Sequence, residues 1–320
     1  MSAVIDESRL NVNIDKLHRY FQDILAKYFD GETPKSGFFD SVACYNCGRD
    51  DFSSEFVINR FRHVRCSGCG MVYVTPRLKE TIAHDLYSEA DYTEFYKIKL
   101  IPSIDYRRDI LAVNKYRQIA KLMPHRGRVL DIGSGLGEVL SVFKENGWDC
   151  LGVEFNEFAA GFARERFGLN IINTSIYDFS GDEKFDVIML WGVLEHFFSP
   201  LDVLKKARQL LNDDGLLLLE VPSADSFLVR YAQQAPFEVD RILEGDRHIM
   251  LFSIRALMEL TAKAGFAKQE LFSNGLDIST LNRLKLNGTL SNEQVSDLQS
   301  LLDESLQGDL LRGFFRPEKI

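Results

Sequence analysis

A glycine-rich segment flanked by acidic residues is the first part of the chain whose residue types point to chemistry. An apolar run ends in Asp131, and Gly133, Gly135 and Gly137 follow it. Glycines allow a sharp backbone turn and a close approach to a ligand, where side chains would clash. A second apolar run ends in Glu154, and an acid at that place binds ribose hydroxyls. The pattern therefore predicts a strand, a tight turn and a helix around a nucleoside-containing ligand.

The spacing of the glycines indicates which nucleoside is bound. The dinucleotide pattern G-x-G-x-x-G keeps a helix N-terminus free for a pyrophosphate. Here the pattern is Asp131-x-Gly-x-Gly-x-Gly137, and Glu138 comes next. An acid at the start of the helix repels a pyrophosphate but tolerates a cationic ligand. The spacing resembles motif I of the class I methyltransferases that use S-adenosylmethionine.

Four of the five cysteines form two C-x-x-C pairs, each followed by a glycine. The pairs are Cys44 with Cys47 and Cys66 with Cys69, and eighteen residues separate them. This spacing predicts a zinc ribbon with four thiolate ligands, whose closed coordination implies a structural role for the zinc. The alternative is two disulfides, which a chain without an export signal is not expected to form. His63, between the pairs, is predicted to be a surface residue rather than a ligand.

Two histidines and a glutamate are candidates for proton transfer. His196 follows a predicted strand, His248 follows a long insertion, and Glu195 precedes the first histidine. Histidine titrates near neutral pH and is a common general base for hydroxyl or enol acceptors. The alternative is structural: a hydrogen bond at a helix start for His196, anchorage of the insertion for His248, and a favourable charge at a helix N-terminus for Glu195.

Alternating strands and helices must position these residues. From residue 128 to about 275, apolar strand-like runs alternate with helical patterns, which predicts a parallel sheet with helices on both faces. The predicted fold class is therefore α/β with a Rossmann-like sheet. The predicted strands are 129–132, 150–154, 169–173, 185–190 and 216–220, with a turn at 212–215.

The rest of the chain divides around this sheet. Helical spacing marks both ends, and a polar–apolar mixture interrupts the main domain where a cap over the substrate is expected. We predict a helical segment over 1–40, the zinc ribbon over 41–78, a helical linker or lid over 79–125, the Rossmann-like domain over 126–275 with a cap insertion over 223–246, and a helical tail over 276–320.

Composition limits the partners. The chain has 320 residues, 45% of them hydrophobic, and a formal net charge of −9. An acidic chain is a poor match for nucleic acid in general, although a local basic patch remains compatible with it. No apolar run approaches the ~20 residues of a membrane span, and the N-terminus has no signal-peptide pattern. We therefore expect a cytoplasmic protein without a membrane partner; the sequence does not predict the oligomeric state.

The middle of the chain is similar to small-molecule class I methyltransferases grouped with ubiquinone-biosynthesis enzymes. The resemblance is carried by Phe185-Asp-Val-Ile, by Val193-Leu-Glu-His, by the turn at Gly215, and by His248-Ile-Met-Leu-Phe-Ser. A zinc ribbon before a methyltransferase domain resembles sugar C-methyltransferases and bacterial enzymes of surface-polysaccharide and natural-product pathways. The resemblance covers about 41–270.

This resemblance implies S-adenosylmethionine as the cofactor and a role for each motif. The glycines line the methionine moiety, the aspartate lies near its ammonium, and the glutamate holds the ribose. The residues after the second and third strands border the adenine, and those ending the fourth lie under the sulfonium. The implied cofactor-binding residues are Asp131, Gly133, Ser134, Gly135, Gly137, Glu154, Phe155, Ser175, Ile176, Trp191 and Gly192.

Departures from related motifs narrow the chemistry. Quinone and small-RNA methyltransferases carry Glu-x-x-Glu-His and can use a divalent metal, but the first glutamate is Gly192 here, which argues against a catalytic metal. The Asp/Asn-Pro-Pro-Tyr motif of adenine and amide N-methyltransferases is replaced by Leu190-Trp-Gly-Val. Cys150 is wrongly placed to be the nucleophile of cytosine C5 methylation.

Three functions remain as hypotheses. The first is O- or C-methylation of a small molecule such as a sugar, a nucleotide-sugar, or a natural-product or polysaccharide intermediate. The second is RNA methylation, with the ribbon's Arg60, Arg62, His63 and Arg65 contacting phosphates beside Phe61, which would stack on a base. The third is a non-catalytic scaffold that binds the cofactor.

Overall fold

The N-terminal third combines one helix with several short antiparallel strands. The computed structural model describes residues 5, 9–10, 12–88, 90–181, 183–237, 239 and 241–318. The elements up to residue 78 are α1 (Ile14–Leu25), β1 (Phe29–Asp30), β2 (Thr33–Pro34), β3 (Phe39–Asp40), β4 (Phe52–Ile58), β5 (Phe61–Cys66), β6 (Val72–Val74) and β7 (Arg77–Leu78). Strands β4, β5 and β6 form the antiparallel core of the ribbon.

The next segment is helical, as the sequence predicts, but it is broken into short pieces. Two π-helical stretches, Tyr96–Leu100 and Arg107–Ala112, lie within it, and π-turns of this kind often occur at functional sites. The α-helices are α2 (Glu80–Ser88), α3 (Ala90–Phe95), α4 (Ile104–Tyr106) and α5 (Val113–Leu122).

A seven-stranded sheet dominates the remainder of the chain. Its strands and their neighbours are β8 (Arg128–Ile132), α6 (Glu138–Glu145), β9 (Asp149–Glu154), α7 (Glu157–Phe167), β10 (Asn170–Asn173), β11 (Phe185–Trp191), α8 (Pro200–Leu210), β12 (Leu211–Pro222), α9 (Phe227–Gln234), β13 (Met250–Leu251), α10 (Ile254–Lys263), β14 (Phe266–Asn274), α11 (Asp277–Leu284), α12 (Asn292–Glu304) and β15 (Leu310–Pro317). The strand order is β10-β9-β8-β11-β12-β15-β14.

Both faces of the central strands are buried, which explains their nearly continuous apolar sequences. Leu130 and Ile188 belong to one apolar cluster, whereas their neighbours Val129 and Val187 belong to another on the opposite face. Successive side chains of a strand point to opposite faces, so a sheet covered on both sides requires apolar residues at every position. This packing fixes the carboxyl ends of β8, β9, β11 and β12 along one edge.

Two features of the sheet differ from the sequence prediction. The predicted turn at 212–215 lies inside β12, where Leu211 pairs with Phe185 and Leu216 pairs with Val187, so the turn residues form an irregularity in one long strand. The predicted helical tail contains β15, which pairs antiparallel with both β12 and β14. The sheet is therefore mixed, because residues from the tail fill a gap between two strands.

The ribbon is not a separate module. Strand β13 pairs with β6, with Met250 opposite Tyr73, and becomes the fourth strand of the ribbon sheet. In the predicted cap insertion, α9 packs on β4, and Leu228 and Val229 share an apolar cluster with Phe56. Among the described residues, no helix combines the length and the apolar character needed to cross a membrane.

Candidate active site

The glycine turn after β8 has the backbone conformation that its sequence requires. Gly133, Gly135 and Gly137 have φ angles of +70°, +53° and +82°, in the left-handed region that L-residues avoid. The N–H of Gly133 donates to Val153 O (2.7 Å), and the N–H of Gly135 donates to Glu154 Oε2 (2.8 Å). Strands β8 and β9 thus hold the turn against the carboxylate predicted to bind ribose.

The three glycines face different surroundings. A methyl group at Gly133 would lie 2.7 Å from the Val193 side chain, and one at Gly137 would lie 2.6 Å from Leu169. At Gly135 the nearest atom would be the Tyr96 hydroxyl at 4.0 Å. Gly133 and Gly137 therefore permit close packing within the protein, whereas Gly135 borders open space that a ligand can occupy.

Unpartnered polar atoms occur near the ends of β8 and β11 and in the glycine turn. Asp131 Oδ1, Trp191 Nε1 and Ser134 Oγ are buried and have no hydrogen-bond partner among the residues that the structure describes. Burial raises the pKa of Asp131 well above its usual value, and the Lys115 charge opposes this shift. Buried polar groups are normally paired, so these acceptor and donor atoms fit a ligand that supplies both kinds of partner. A methionine moiety has this chemistry, because its ammonium donates hydrogen bonds and its carboxylate accepts them.

The predicted adenosine residues lie around the end of β9. Both carboxylate oxygens of Glu154 accept a backbone N–H, from Gly135 and from Asn156, each at 2.8 Å. Burial raises the pKa of Glu154, and these hydrogen bonds lower it. Phe155 is 37% exposed, with the His84 ring 4.8 Å away, and can still pack on a base.

The loop after β10 completes this side of the site. Ile176 is buried in the main apolar cluster, whereas Ser175 is only partly buried and begins the turn after β10. The hydroxyl of Ser175 accepts the N–H of Tyr177 at 3.2 Å. Of the two, Ser175 is the residue with surface left to offer a ligand.

The sequence prediction missed a buried, ion-paired carboxylate at the same edge of the sheet. Glu220, near the end of β12, pairs with Lys115 Nζ (2.9 Å) and with the Arg312 guanidinium. Burial alone would raise the pKa of Glu220, but Arg312 and Lys115 hold it at about 2. Lys115 Nζ also lies 4.1 Å above the Trp191 ring. The sequence signal that could have identified Glu220 is an acid at the end of an apolar run, as at Asp131 and Glu154.

The adjacent residues Glu195 and His196 form one cluster beyond β11 with His248, which lies about fifty residues later in the sequence. The two imidazole rings are 5.0 Å apart, and the Nε2 atoms of His196 and His248 lie 4.0 and 3.8 Å from Glu195 Oε1. Each Nδ1 lies 2.9 Å from a backbone carbonyl oxygen, that of Arg247 or Ile242. A carbonyl only accepts, so each Nδ1 carries the hydrogen and each neutral Nε2 presents a lone pair to the glutamate.

Burial sets the protonation of this cluster. It raises the pKa of Glu195 to about 8, and the negative charges of Glu220 and Glu244 add to the shift. It lowers the pKa of His196 to about 3 and also lowers that of His248. The histidines are therefore neutral at physiological pH, and Glu195 is the group of the cluster whose pKa lies closest to neutral pH.

The cluster lies next to the glycine turn. A methyl group at Gly192 would lie 3.5 Å from Glu195 Oε1, while the side chain of the next residue, Val193, packs on Gly133. Gly192 has a φ of +64° and donates its N–H to Glu220 O (2.9 Å). The three donor atoms of the cluster lie within 4.8 Å of one another, so the group can exchange a proton with a bound hydroxyl or hold a metal ion.

The four cysteines predicted to bind zinc lie together. The Sγ atoms of Cys44 and Cys69 are 3.4 Å apart, those of Cys47 and Cys66 are 3.3 Å apart, and all four lie within 4.8 Å of one another. No disulfide joins any of them. Gly48, after the first pair, has a φ of +72° and donates its N–H to Cys44 O. The donor set and its compactness fit a tetrahedral thiolate site.

The prediction that His63 lies on the surface is wrong. The residue is fully buried, its ring stacks on Phe56 at 5.3 Å, and Nδ1 contacts Phe61 O at 3.1 Å. Strand β5 is buried on both faces over most of its length, because Phe61 packs in an apolar cluster with α1 and Val64 in the main apolar cluster. His63 is therefore unavailable to a partner.

The neighbouring arginines are also engaged within the chain. Arg62 pairs with Glu55, and Arg60 lies 3.7 Å from Glu32. Arg65 contacts Ala224 O and lies 3.4 Å from Asp225. Side chains predicted to contact phosphates are thus held by acids and backbone carbonyls of the same molecule.

Comparison with known families agrees with this geometry. A family model described as a methyltransferase domain matches residues 105–271, slightly more than half of the chain. The chain belongs to this methyltransferase family. The match begins in the helical segment before the sheet and ends within β14, so it includes the glycine turn and the cluster of Glu195, His196 and His248.

Relatives of the methyltransferase act on different molecules. A ubiquinone biosynthesis O-methyltransferase of Cereibacter sphaeroides is 33% identical over 122 residues, which cover 36% of this chain and 49% of the relative. A tRNA U34 carboxymethyltransferase of Haemophilus influenzae is 26% identical over 212 residues, 63% of each chain. The chain spans about half the length of the ubiquinone relatives that it matches.

Solved structures confirm the predicted Rossmann-like methyltransferase fold. The 1,6-didemethyltoxoflavin-N1-methyltransferase of Burkholderia thailandensis, solved with S-adenosylhomocysteine, has a TM-score of 0.52 and 16% identity, covering 83% of this chain and all of that one. An S-adenosylmethionine-dependent methyltransferase from Archaeoglobus fulgidus has a TM-score of 0.50 and 20% identity, covering 71% and 100%. At these identities the likeness shows the fold alone.

Proposed function

We propose that the protein transfers a methyl group from S-adenosylmethionine to a hydroxyl or enol group of a small polar molecule. The observation that carries this proposal is that the open space at Gly135, here called the cofactor cradle, lies close to the buried cluster of Glu195, His196 and His248. Two residues connect them, because Val193 packs on Gly133 and Gly192 lies beside Glu195. A methyl group on a sulfonium is already electrophilic, so the protein's main tasks are alignment, exclusion of water and acceptance of the acceptor's proton.

The residues around Gly135 would hold the cofactor. Glu154 would bind the ribose hydroxyls, Asp131 would lie near the ammonium, and Trp191 would supply a ring beside the sulfonium. Gly192, Ser134, Ser175, Ile176 and Phe155 are assigned to the same cradle. The unpartnered atoms at Asp131, Ser134 and Trp191 support this assignment, because each gains a partner when a ligand fills the space.

Glu195 would accept the proton, and the two histidines would orient the acceptor. The distances of 3.8 and 4.0 Å from Glu195 Oε1 to the imidazole Nε2 atoms are too long for direct hydrogen bonds. A hydroxyl entering the cluster can instead contact the carboxylate and one imidazole together. With its pKa raised to about 8, Glu195 is a stronger base than an ordinary carboxylate.

A pocket that reaches the cluster through Glu244 supports a small acceptor. It is lined by α1 and by residues at the end of the cap insertion, including Phe21, Gln22, Glu244, Asp246 and Arg247. Glu244 also reaches His248 Nε2 at 3.9 Å. Two carboxylates against one guanidinium favour a hydroxylated acceptor over a polyphosphate. A sugar, nucleotide-sugar or natural-product or polysaccharide intermediate, methylated on oxygen or carbon, remains the proposed substrate class.

We also propose structural zinc at the four cysteines, supported by the compact thiolate set.

RNA methylation is the second candidate function because of the similarity to a tRNA-modifying enzyme. The contacts of Arg62, His63 and Arg65 within the chain count against it. A non-catalytic scaffold is the third candidate. Cytoplasmic localisation stays a prediction.

Methyl transfer from radiolabelled S-adenosylmethionine into a fractionated host extract tests the proposal. We expect label in the small-molecule fraction with the unaltered protein and loss of label with Glu195→Gln. Label confined to RNA would replace the small-molecule proposal with the second candidate. If the protein binds S-adenosylhomocysteine and restores the function of cells that lack its gene, yet transfers no methyl group, the scaffold would be favoured.

A further inference from the structure

One short segment connects the four-cysteine site with the proton-transfer cluster. It begins at His248 of the cluster, passes through β13 and ends at Ser253. The Ser253 hydroxyl donates to the backbone oxygen of Cys69 (2.6 Å), itself one of the four cysteines. Only four residues, 249–252, thus separate a residue that contacts Cys69 from an imidazole that faces Glu195.

Backbone hydrogen bonds tie the first half of this segment to the ribbon and to the cluster together. The N–H of Val74, at the end of β6, donates to Ile249 O (3.0 Å), and the N–H of Ile249 lies 3.3 Å from Glu195 O, which accepts it. Met250 and Leu251 continue the pairing with β6. The ribbon therefore contacts Ile249, the residue after His248, and Ile249 in turn contacts the backbone of Glu195.

The second half of the segment is held between the ribbon and the main sheet. The N–H of Phe252 donates to Pro222 O (2.9 Å) at the end of β12. On the ribbon side, Arg65 contacts Ala224 O and Asp225, and Asp225 Oδ2 accepts the N–H of Ile254 (2.9 Å). Displacement of the ribbon would consequently change the position of this segment relative to β12.

The cofactor cradle is fixed by other contacts. The glycine turn is held by hydrogen bonds from Gly133 and Ser134 to Val153 O and from Gly135 to Glu154. These partners belong to β9, and the packing contacts of Gly133 and Gly137 also come from the main domain. The glycine turn is therefore held by the main domain, whereas His248 is held by the ribbon.

We propose that the ribbon is a positioning element for proton transfer: through Ser253 and the β6–β13 pairing it places His248 against Glu195. The inference rests on the proposed function of that cluster. It assigns to the four-cysteine site a role in activating the acceptor, with Ser253 as a positioning residue, and leaves cofactor binding to the main sheet.

The test combines a spectroscopic readout with a binding readout, so no acceptor is needed. The imidazole N–H of His248, donated to Ile242 O, is followed by nuclear magnetic resonance of the nitrogen-labelled full chain and assigned by its loss in His248→Gln. Affinity for S-adenosylhomocysteine is measured by calorimetry on the same samples. Ser253→Ala removes the contact with Cys69, and Ser253→Thr retains a hydroxyl.

We expect Ser253→Ala to shift or broaden the His248 signal while the dissociation constant of S-adenosylhomocysteine stays within about twofold. Ser253→Thr should restore the signal. Because Ser253 also caps α10 by accepting the N–H of Ala256, the matched control is Ser291→Ala, which removes the corresponding cap of α12, a helix that packs on α11 and β14. This control should leave the signal unchanged.

An unchanged His248 signal in folded Ser253→Ala would overturn the inference, as would an equal response in Ser291→Ala. If Ser253→Ala does not fold, Lys263→Met tests the same link, because Lys263 Nζ donates to Asn46 O between the first two cysteines (2.6 Å). A smaller shift in the same direction supports the inference, and an unchanged signal rejects it. Failure of the unaltered protein to bind S-adenosylhomocysteine would reject the proposed function instead.

Discussion

At Glu195 a carboxyl group is buried between two neutral imidazole rings, and only 1% of the residue is exposed. Burial raises its pKa, a hydrogen bond from its own backbone N–H opposes the shift, and the negative charges of Glu220 and Glu244 add to it, so the balance favours the protonated form. A carboxylate that is costly to form is also a strong base once formed. This single residue therefore sets the pH range in which the proposed chemistry proceeds.

The rate of methyl transfer should follow the ionisation of Glu195. Because its raised pKa of about 8 leaves it protonated at lower pH, we expect kcat/KM to rise about tenfold per pH unit up to that pH and to level off above it. Initial rates between pH 5.5 and 9.5 measure this. A profile already flat from pH 6 upward would identify one of the neutral histidines as the base.

Gly135→Ala should separate cofactor binding from folding. An alanine there must adopt a φ of +53°, which costs about 1 kcal/mol, and its methyl group would enter the open cradle. We expect affinity for S-adenosylhomocysteine to fall at least tenfold, as measured by calorimetry. Gly161→Ala is the control, because nothing lies within 4 Å of that position in α7; equal affinities in the two variants would refute the assignment.

The site residues that sequence reasoning found share a local signal. Asp131 lies near the end of an apolar strand and Glu154 ends the next one, and the glycines between them have a recognisable spacing. Lys115 and Arg312 carry no such signal, because each acquires its role only by meeting Glu220 across the fold. The convergence of Glu195 with His248 likewise depends on the path of the insertion, which spacing does not specify.

Elements were predictable where their partners are close in the sequence. Strands β8, β9 and β11 agree with their predicted bounds within one residue. Strand β15 was missed because its pairing is distant: Phe315 lies opposite Leu217 on one side and Lys268 on the other. The two-residue β13 is a strand only because β6 lies beside it.

The contribution of β15 to stability can be measured at Phe315, which is fully buried in the main apolar cluster. We expect Phe315→Ala to lower the free energy of unfolding by about 3–5 kcal/mol, because it leaves a cavity in the middle of the sheet. Denaturant unfolding gives the value. Lys268→Ala, at the exposed position paired with Phe315, should change it by less than about 0.5 kcal/mol; similar losses at both positions would contradict a packed role for β15.

Several buried acids make the stability of the whole molecule depend on pH. Burial raises the pKa of Glu195 to about 8, of Asp277 to about 7 and of Asp246 to about 6. The folded state thus holds protons that the unfolded chain releases near pH 4. The stability contributed by these protonated groups is complete below that pH and is lost as the pH rises through 6 to 8.

Glu195→Gln isolates one of these contributions. Between pH 5 and 8, the free energy of unfolding of the variant minus that of the unaltered protein should increase by up to about 1.4 kcal/mol with each pH unit. The difference between the two proteins cancels the pH dependence of every other group, including the cysteines. A constant difference over this range would show that Glu195 is already ionised in the folded protein.

The position of β15 also has a consequence for the order in which the chain folds during synthesis. The ribosome releases β12 and β14 long before β15, yet β15 lies between them. Until it arrives, the unpaired edges of both strands are exposed and can join strands of other chains. Nascent or prematurely terminated chains should therefore be the species that aggregate and recruit chaperones, even when the glycine turn upstream is already formed.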